Sequence, residues 1–212
     1  MLQTLLFDLD GTISDPAMGF CRSVNYALTA FGYPVLQDAE IARHIGPPIE
    51  DTFRLLTGSN SEDHVLALVK KYRERYGAIG WSENVVYPGI PEALQYLAQR
   101  GFPLGVCTTK RADFAEKILN KFGLRDYFGV LSGGDVGITK ASQLADLLAQ
   151  GRVSSDSTMI GDRAIDVTAA RSNGLKSVGV LWGYGTPEEL LESGPHAVLS
   201  APRDLLALAE ER

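Results

Sequence analysis

The sequence is poor in the residues that build disulfide frameworks and thiolate or imidazole metal sites. It has two cysteines and three histidines in 212 residues. Cys21 and Cys107 are far apart and match no metal-binding or redox spacing. No pair of histidines has the spacing of metal ligands either. This composition fits a protein of a reducing cytoplasm, in which cysteines are small core residues.

The chain also lacks an excess of basic residues and any long apolar run. Lys and Arg number 20 against 26 Asp and Glu, for a net charge of −6, which argues against a nucleic-acid-binding surface. No apolar run is long enough to span a membrane. Met1 leads at once into a strand-like segment, so we expect no signal peptide. These absences predict a cytoplasmic protein without nucleic-acid or membrane partners.

Strand and helix patterns alternate from about Tyr87 onward. The predicted strands cover residues 102–108, 128–132, 158–161, 177–182 and 197–199. The predicted helices cover residues 90–99, 112–122, 141–150, 164–172, 187–191 and 202–209. Such alternation is typical of βαβ units and a mostly parallel sheet. The apolar strand near Leu5 belongs to the same sheet by composition, so the predicted fold class is α/β, with a doubly wound parallel sheet.

Residues 17–81 have a different pattern. Helical patterns cover residues 20–31, 49–56 and 62–76, and no convincing strand interrupts them. Breaks around Gly32 and Gly58 separate the helices. We therefore predict an α/β core formed by residues 1–16 and 82–212, with a small all-helical domain, residues 17–81, inserted after the first strand.

The segment Asp8-Leu9-Asp10-Gly11-Thr12 directly follows the first apolar strand. In an extended chain, residues two apart point to the same side, so Asp8 and Asp10 can face one small space. Like charges that close repel, and a cation or a proton must settle them. Gly11 allows a sharp turn. The alternative is that both carboxylates are ordinary turn or cap residues.

More polar groups follow other predicted strands. Thr108 and Thr109 follow one strand, Asp162 follows another with Asp166 one helical turn later, and Lys140 opens a helix. In an open parallel sheet, functional groups gather at the carboxyl ends of the strands. Each residue has an ordinary alternative, such as a helix N-cap or a solvated lysine. Their joint placement favours one functional site.

This pattern resembles the haloacid dehalogenase superfamily of phosphohydrolases along essentially the whole chain. The segment 7–12 is similar to the first motif of that superfamily, and Thr108 to the second. Lys140 is similar to the third motif and the segment 161–166 to the fourth. The helical insert is similar to the first type of cap domain. The resemblance implies a Rossmann-like core with this cap.

The resemblance also implies an Mg²⁺-dependent phosphatase that forms an aspartyl-phosphate. Asp8 is then the expected nucleophile and Asp10 the acid–base group. Thr108 and Lys140 are expected to contact the phosphoryl oxygens. Thr109 is a further candidate for substrate binding.

Mg²⁺ takes oxygen ligands, usually from one or two carboxylates together with waters and phosphate. Asp8 and Asp162 are the expected carboxylate ligands, with a backbone carbonyl near Asp10. Asp166 is expected to hold a metal-bound water or to position Lys140.

Within the superfamily the chain looks most like the phosphoglycolate-phosphatase group, through segments 45–50 (IGPPIE) and 179–185 (GVLWGYG). Two departures are Arg163, where many relatives have Ser or Thr, and Ala141, where a Pro is expected. Arg43 and His44 precede the first segment and are candidate substrate contacts; a solvated helix end is the alternative. The expected partner is a small phosphorylated metabolite, and the expected state is a monomer or weak homodimer.

Phosphoglycolate is the leading substrate, followed by a nucleoside monophosphate. A phosphosugar mutase is a rival, although the helical segments show no convincing set of sugar-binding groups. A dehalogenase is disfavoured because Asp10 would have no role. A non-enzymatic receiver domain combines similar residues, but it lacks a long helical insert after its first strand.

Overall fold

The computed structural model describes residues 3–135 and 137–210. Its strands are β1 (Leu5–Phe7), β2 (Ser14–Asp15), β3 (Val85–Val86), β4 (Leu104–Arg111), β5 (Phe128–Gly134), β6 (Thr158–Gly161), β7 (Lys176–Val180) and β8 (Ala197–Leu199). Six of them form one sheet in the order β5-β4-β1-β6-β7-β8. Every pairing in this sheet is parallel. The predicted α/β fold class with a parallel sheet is therefore confirmed.

The α-helices are α1 (Ala17–Ala30), α2 (Asp38–Ala42), α3 (Ile49–Thr57), α4 (Glu62–Ala78), α5 (Ile90–Gln99), α6 (Ala112–Lys121), α7 (Lys140–Ala149), α8 (Ala164–Ser172) and α9 (Pro187–Ser193). Short 3-10 helices occupy Gly80–Glu83, Arg125–Tyr127 and Pro202–Ala209. The last of these was predicted as a helix with the same bounds. In the part of the chain that the structure describes, no helix has both the length and the apolar character needed to cross a bilayer.

The central strand β1 is buried on both faces, and its side chains alternate between two cores. Leu5 and Phe7 pack in one hydrophobic cluster with side chains of α5 and α6. Leu6 packs in another cluster with side chains of α7 and α8. This alternation is the period of two that an extended strand imposes. Helices on both faces explain why β1 is a continuous apolar run.

The helices α1–α4 share a separate hydrophobic cluster. Val24 of α1, Phe53 of α3 and Leu68 of α4 are each fully buried in it. Phe114, from α6 of the sheet region, belongs to the same cluster. The helical segment therefore has its own apolar interior and also packs on the side of the sheet region.

A two-stranded antiparallel ribbon joins the two regions where the chain passes between them. β2 pairs with β3, with Ser14 opposite Val86. The Ser14 hydroxyl also donates a hydrogen bond to the Asn84 side-chain carbonyl at 3.1 Å. The ribbon and the five-residue helix α2 were not predicted, because elements this short show too few repeats for a periodic pattern.

Candidate active site

Five buried polar residues meet at the carboxyl edge of the sheet. Asp8 follows β1, Thr108 lies in the neighbouring strand β4, and Asp162 follows β6 on the other side. Lys140 is the first residue of α7 and Asp166 lies in the first turn of α8. All five are at most 1% exposed. The parallel topology brings these residues together because the strands that carry or precede them end at one edge.

Lys140 bridges two of the carboxylates. Its ammonium lies 3.0 Å from Asp8 Oδ2 and forms an ion pair with Asp166. Burial by itself lowers the pKa of Lys140, but the carboxylates of Asp166 and Asp8 outweigh it and raise this pKa above its ordinary value. Lys140 is therefore a fixed positive charge beside Asp8.

The carboxylates of Asp8, Asp162 and Asp166 form a compact acidic cluster. One oxygen from each lies within 4.8 Å of the others, which is close enough to hold one metal ion. Burial, reinforced by Asp166 and Asp8, raises the pKa of Asp162 to about 8. Burial also raises the pKa of Asp166 above its ordinary value, although Lys140 opposes this rise. Burial and the neighbouring carboxylates therefore disfavour the charged form of these groups, even with Lys140 beside them.

The donor set fits a hard cation such as Mg²⁺. The cluster offers carboxylate oxygens and no sulfur or imidazole, as Mg²⁺ prefers. Asp8 Oδ2 and Asp10 Oδ1 are buried and accept no hydrogen bond from the described residues, since the contact of Lys140 with Asp8 Oδ2 lacks hydrogen-bond geometry. A buried carboxylate oxygen without a hydrogen bond is costly, and a cation held by the acidic cluster would offset that cost at Asp8.

The surrounding backbone fixes the direction of the Asp162 side chain. Asp162 Oδ1 accepts a hydrogen bond from the Thr12 hydroxyl at 3.2 Å, and Oδ2 accepts one from the Tyr184 amide at 2.7 Å. Gly11 has φ 84° and passes so near that a Cβ there would overlap the Asp162 carboxylate. A residue at position 11 must therefore lack a side chain, for both conformational and steric reasons.

Asp10 faces a different set of groups from Asp8. Its Oδ2 lies 2.7 Å from the ammonium of Lys110. Lys110 also donates a hydrogen bond to the Tyr76 hydroxyl of α4 at 2.8 Å. Burial raises the pKa of Asp10, while Lys110 opposes that rise. The second aspartate is thus held by a cation that also contacts the helical segment.

The two threonines of β4 have different surroundings. The Thr108 hydroxyl accepts a hydrogen bond from the Lys110 amide at 3.3 Å and stays within the buried group. The Thr109 hydroxyl donates to the Gly46 carbonyl at 2.7 Å. Thr109 therefore contacts the loop between α2 and α3 in this structure.

Arg163, the unexpected residue in the fourth motif, ties the same loop to the sheet region. Its guanidinium donates to the carbonyls of Ile45 and Arg43, the latter at 3.3 Å, and pairs with Glu189 at 2.9 Å. The departure is visible in the sequence, but this contact is not, because the loop lies far away along the chain. The structure assigns Arg163 a role in holding the helical segment.

Replacing Arg163 by Ala is expected to lower the free energy of unfolding by about 1–3 kcal/mol, because it removes charge-assisted hydrogen bonds from a side chain that is only 15% exposed. Denaturant titration followed by circular dichroism measures the change. Arg203→Ala is the control, since that side chain is 86% exposed and should leave stability unchanged. Equal stability of both variants would contradict the anchoring role.

The structure does not bring Arg43 and His44 to the cleft that opens beside Asp10. Arg43 is exposed, and its Nε donates to the Glu40 carbonyl at 2.9 Å. His44 is half-buried, and this burial, with the cations of Arg43 and Arg163, lowers its pKa. Neither residue lines the cleft. Their role as substrate contacts stays a prediction.

Other residues line that cleft and were not predicted as site residues from the sequence. They share a position between the helical segment and β4–α6, and include Phe20, Glu50, Tyr72, Arg73, Tyr76, Lys110, Arg111 and Phe114. Tyr72 and Tyr76 are four residues apart on α4, so they lie on one face of the helix. That spacing was visible in the sequence, but which face meets the cleft was not.

The fold and this edge define a class of protein: a doubly wound α/β protein with a buried acidic cluster beside an ion-paired lysine. The profile of one family, described as haloacid dehalogenase-like hydrolase, matches residues 5–180. The chain belongs to this family, and the family expected from the sequence motifs is therefore confirmed.

Three proteins with similar sequences differ in their named activities. The chain is 36% identical to a 5'-nucleotidase of Pseudomonas aeruginosa, covering 95% of this chain and 94% of that protein. It is 32% identical to a phosphoglycolate phosphatase of Pectobacterium atrosepticum, covering 98% and 92%. It is 38% identical to the tyrosine-protein kinase PtkA of Mycobacterium tuberculosis, covering 86% of this chain but only 63% of that longer protein.

Solved structures show the same architecture. A predicted phosphatase from Clostridium acetobutylicum superposes with a TM-score of 0.94 at 33% sequence identity, covering 100% of both chains. The arrangement of sheet and helical segment is therefore shared along the full length of that protein.

Proposed function

We propose that the chain is an Mg²⁺-dependent phosphatase that hydrolyses a small-metabolite phosphate monoester through an aspartyl-phosphate. The observation that carries this proposal is the position of Asp8, buried between the Lys140 ammonium and the acidic pair Asp162 and Asp166. A carboxylate there is poised as a nucleophile. Mg²⁺ held by Asp8, Asp162 and the Asp10 carbonyl would supply the charge that lets a phosphate dianion approach.

Each remaining residue has a role in this proposal. Lys140 and Thr108 hold the phosphoryl oxygens while charge spreads over them. Asp166 positions Lys140 through their ion pair. Asp10 donates a proton to the leaving oxygen and later removes one from the attacking water. Lys110 keeps the Asp10 carboxyl in place between these steps.

The helical segment is proposed to act as a cap that covers the phosphate site, with residues 17–81 as one domain and 1–16 with 82–212 as the other. Contacts of Thr109 and Arg163 with the loop around Gly46 support this assignment. Because the residues at the sheet edge contact only the phosphate group, we expect the cap to recognise the rest of the substrate.

Phosphoglycolate and a nucleoside monophosphate are the two substrates that the named relatives support. A panel of phosphorylated metabolites with Mg²⁺, scored by phosphate release, tests the proposal. We expect sustained turnover of phenyl phosphate and of at least one metabolite. A receiver domain would not sustain turnover, so a single stoichiometric phosphorylation without phosphate release would overturn the proposal.

Asp10→Asn is expected to reduce turnover of an alkyl phosphate by about 10²–10⁴-fold, because an amide can neither protonate the leaving oxygen nor activate water. The loss should be smaller for formation of the phosphoenzyme from an aryl phosphate, whose leaving group hardly needs a proton. With an aryl phosphate, intact mass spectrometry is expected to detect accumulated phosphoprotein.

Lys110→Met is a useful partner variant, because it removes the cation beside Asp10 and keeps the carboxyl group. We expect it to lose less activity than Asp10→Asn and to trap less phosphoprotein. Full activity of Asp10→Asn toward alkyl phosphates would show that another group moves the proton.

A further inference from the structure

The cleft beside Asp10 has a wall of aromatic rings. Tyr72 and Tyr76 stack with ring centroids 5.2 Å apart. Phe20 meets Tyr72 edge-on at 5.9 Å, and Phe114 meets Tyr76 edge-on at 5.1 Å. All four residues line the cleft and are at most 7% exposed. Such a surface suits an apolar body of about the size of a ring.

Glu50 places a carboxylate in the same cleft. It lies in the first turn of α3, is 8% exposed, and its Oε1 is buried without a hydrogen bond from any described residue. Arg73 forms a long ion pair with this oxygen at 3.9 Å but donates no hydrogen bond to it. A buried carboxylate with no hydrogen bond is destabilising, so this position favours a ligand that donates one.

The cations that line the cleft each pair with a carboxylate already, and Arg73 pairs with Asp135 as well as, more distantly, with Glu50. The pairs are Lys110 with Asp10 at 2.7 Å, Arg111 with Asp113 at 2.7 Å, and Arg73 with Asp135 at 3.3 Å. A substrate carboxylate would have to displace one of these partners and would also meet the negative charge of Glu50. Placing like charges together is unfavourable at a desolvated interface.

We propose that the cleft selects phosphate monoesters whose leaving group has a ring-sized apolar body and a nitrogen–hydrogen donor, with Glu50 accepting the hydrogen bond. This inference rests on the proposed phosphatase function. Nucleoside monophosphates with an amino-bearing base belong to the favoured class. Phosphoglycolate, whose leaving group is small and carries a carboxylate, belongs to the disfavoured one.

Two synthetic esters separate these classes: para-(aminoethyl)phenyl phosphate and para-(carboxymethyl)phenyl phosphate. They share an aryl leaving group and a similar length, and they differ in the charge at the far end. We expect wild-type kcat/KM to be at least about tenfold higher for the amine. In Glu50→Gln the preference should fall to within about threefold, mainly through a higher KM for the amine ester.

Asp51→Asn is the matched control. Asp51 is the next residue of the same helix turn, but its side chain is 55% exposed and pairs with Arg54. It removes the same charge from α3 without touching the cleft, so the preference for the amine should stay at the wild-type value. Glu50→Asp keeps the charge and should keep the direction of the preference, which covers the case in which Glu50→Gln does not fold.

Two outcomes would overturn the assignment of Glu50: equal kcat/KM of the wild-type protein for both esters, or an undiminished preference in Glu50→Gln. Loss of the preference in Asp51→Asn would likewise show that net charge, rather than the cleft, sets it. A different result marks failure of the proposed function, namely no Mg²⁺-dependent phosphate release from either ester or from phenyl phosphate.

Discussion

Asp8→Asn is expected to reduce phosphatase activity to background, a loss of about 10⁴-fold or more. The substitution removes the attacking anion and a carboxylate of the acidic cluster together. Because asparagine has nearly the same shape, the hydrogen bond that Leu9 N donates to Asp8 Oδ1 at 2.7 Å can persist, and the fold should be retained. The loss would then reflect chemistry rather than unfolding.

Rapid quenching during turnover, followed by intact mass spectrometry, should detect a phosphoryl group on wild-type protein and none on Asp8→Asn. Asp156→Asn is the control, since Asp156 is exposed in the turn before β6. It should keep both activity and the phosphoprotein signal. Phosphate carried by the Asp8→Asn protein would assign the nucleophile to another residue.

Removal of divalent metal is also expected to reduce turnover to background. Without a cation, the carboxylates of Asp8, Asp162 and Asp166 repel a phosphate dianion, and Lys140 alone cannot neutralise them. Activity should return with Mg²⁺ and only poorly with Ca²⁺, whose larger and looser coordination shell would occupy both oxygens of Asp8. Phosphate release in treated buffer, before and after each metal is added, measures this dependence.

A binding measurement separates the metal site from catalysis. Mg²⁺ should raise the thermal unfolding temperature of the wild-type protein, because it binds the folded acidic cluster and not the unfolded chain. Asp162→Asn should weaken this shift, whereas Asp156→Asn should leave it unchanged. Turnover at the wild-type rate in metal-free buffer is the result that rules out the proposed metal dependence.

The residues at the sheet edge could be predicted because their placement depends on short-range patterns. The apolar run before Asp8 marks the end of a buried strand. The start of the helix at Lys140 could also be recognised in the sequence. The alternation of strands and helices then brought the ends of distant strands to one edge. Several predicted elements, such as 90–99 and 164–172, match the observed helices residue for residue.

The residues that line the cleft could not be predicted from such short-range patterns. Glu50, Arg73 and Tyr76 lie on α3 and α4, whereas Lys110 lies on β4, and no local pattern relates these elements. Arg43 and His44 were chosen for their position next to the IGPPIE segment, but the loop turns so that Arg43 is exposed. Which side of a loop faces a neighbour depends on packing against that neighbour.

The sequence by itself determined the fold class, the order of the longer helices and of the strands of the parallel sheet, and the set of acidic, hydroxyl and ammonium groups at the sheet edge. Periodicity and strand ends are properties of neighbouring residues, so they survive without tertiary information. Only the tertiary structure decided the Lys110–Asp10 pair, the anchoring of the Gly46 loop by Arg163 and the burial of Glu50. These depend on contacts between residues far apart in the chain, formed when the helical segment packs against the sheet.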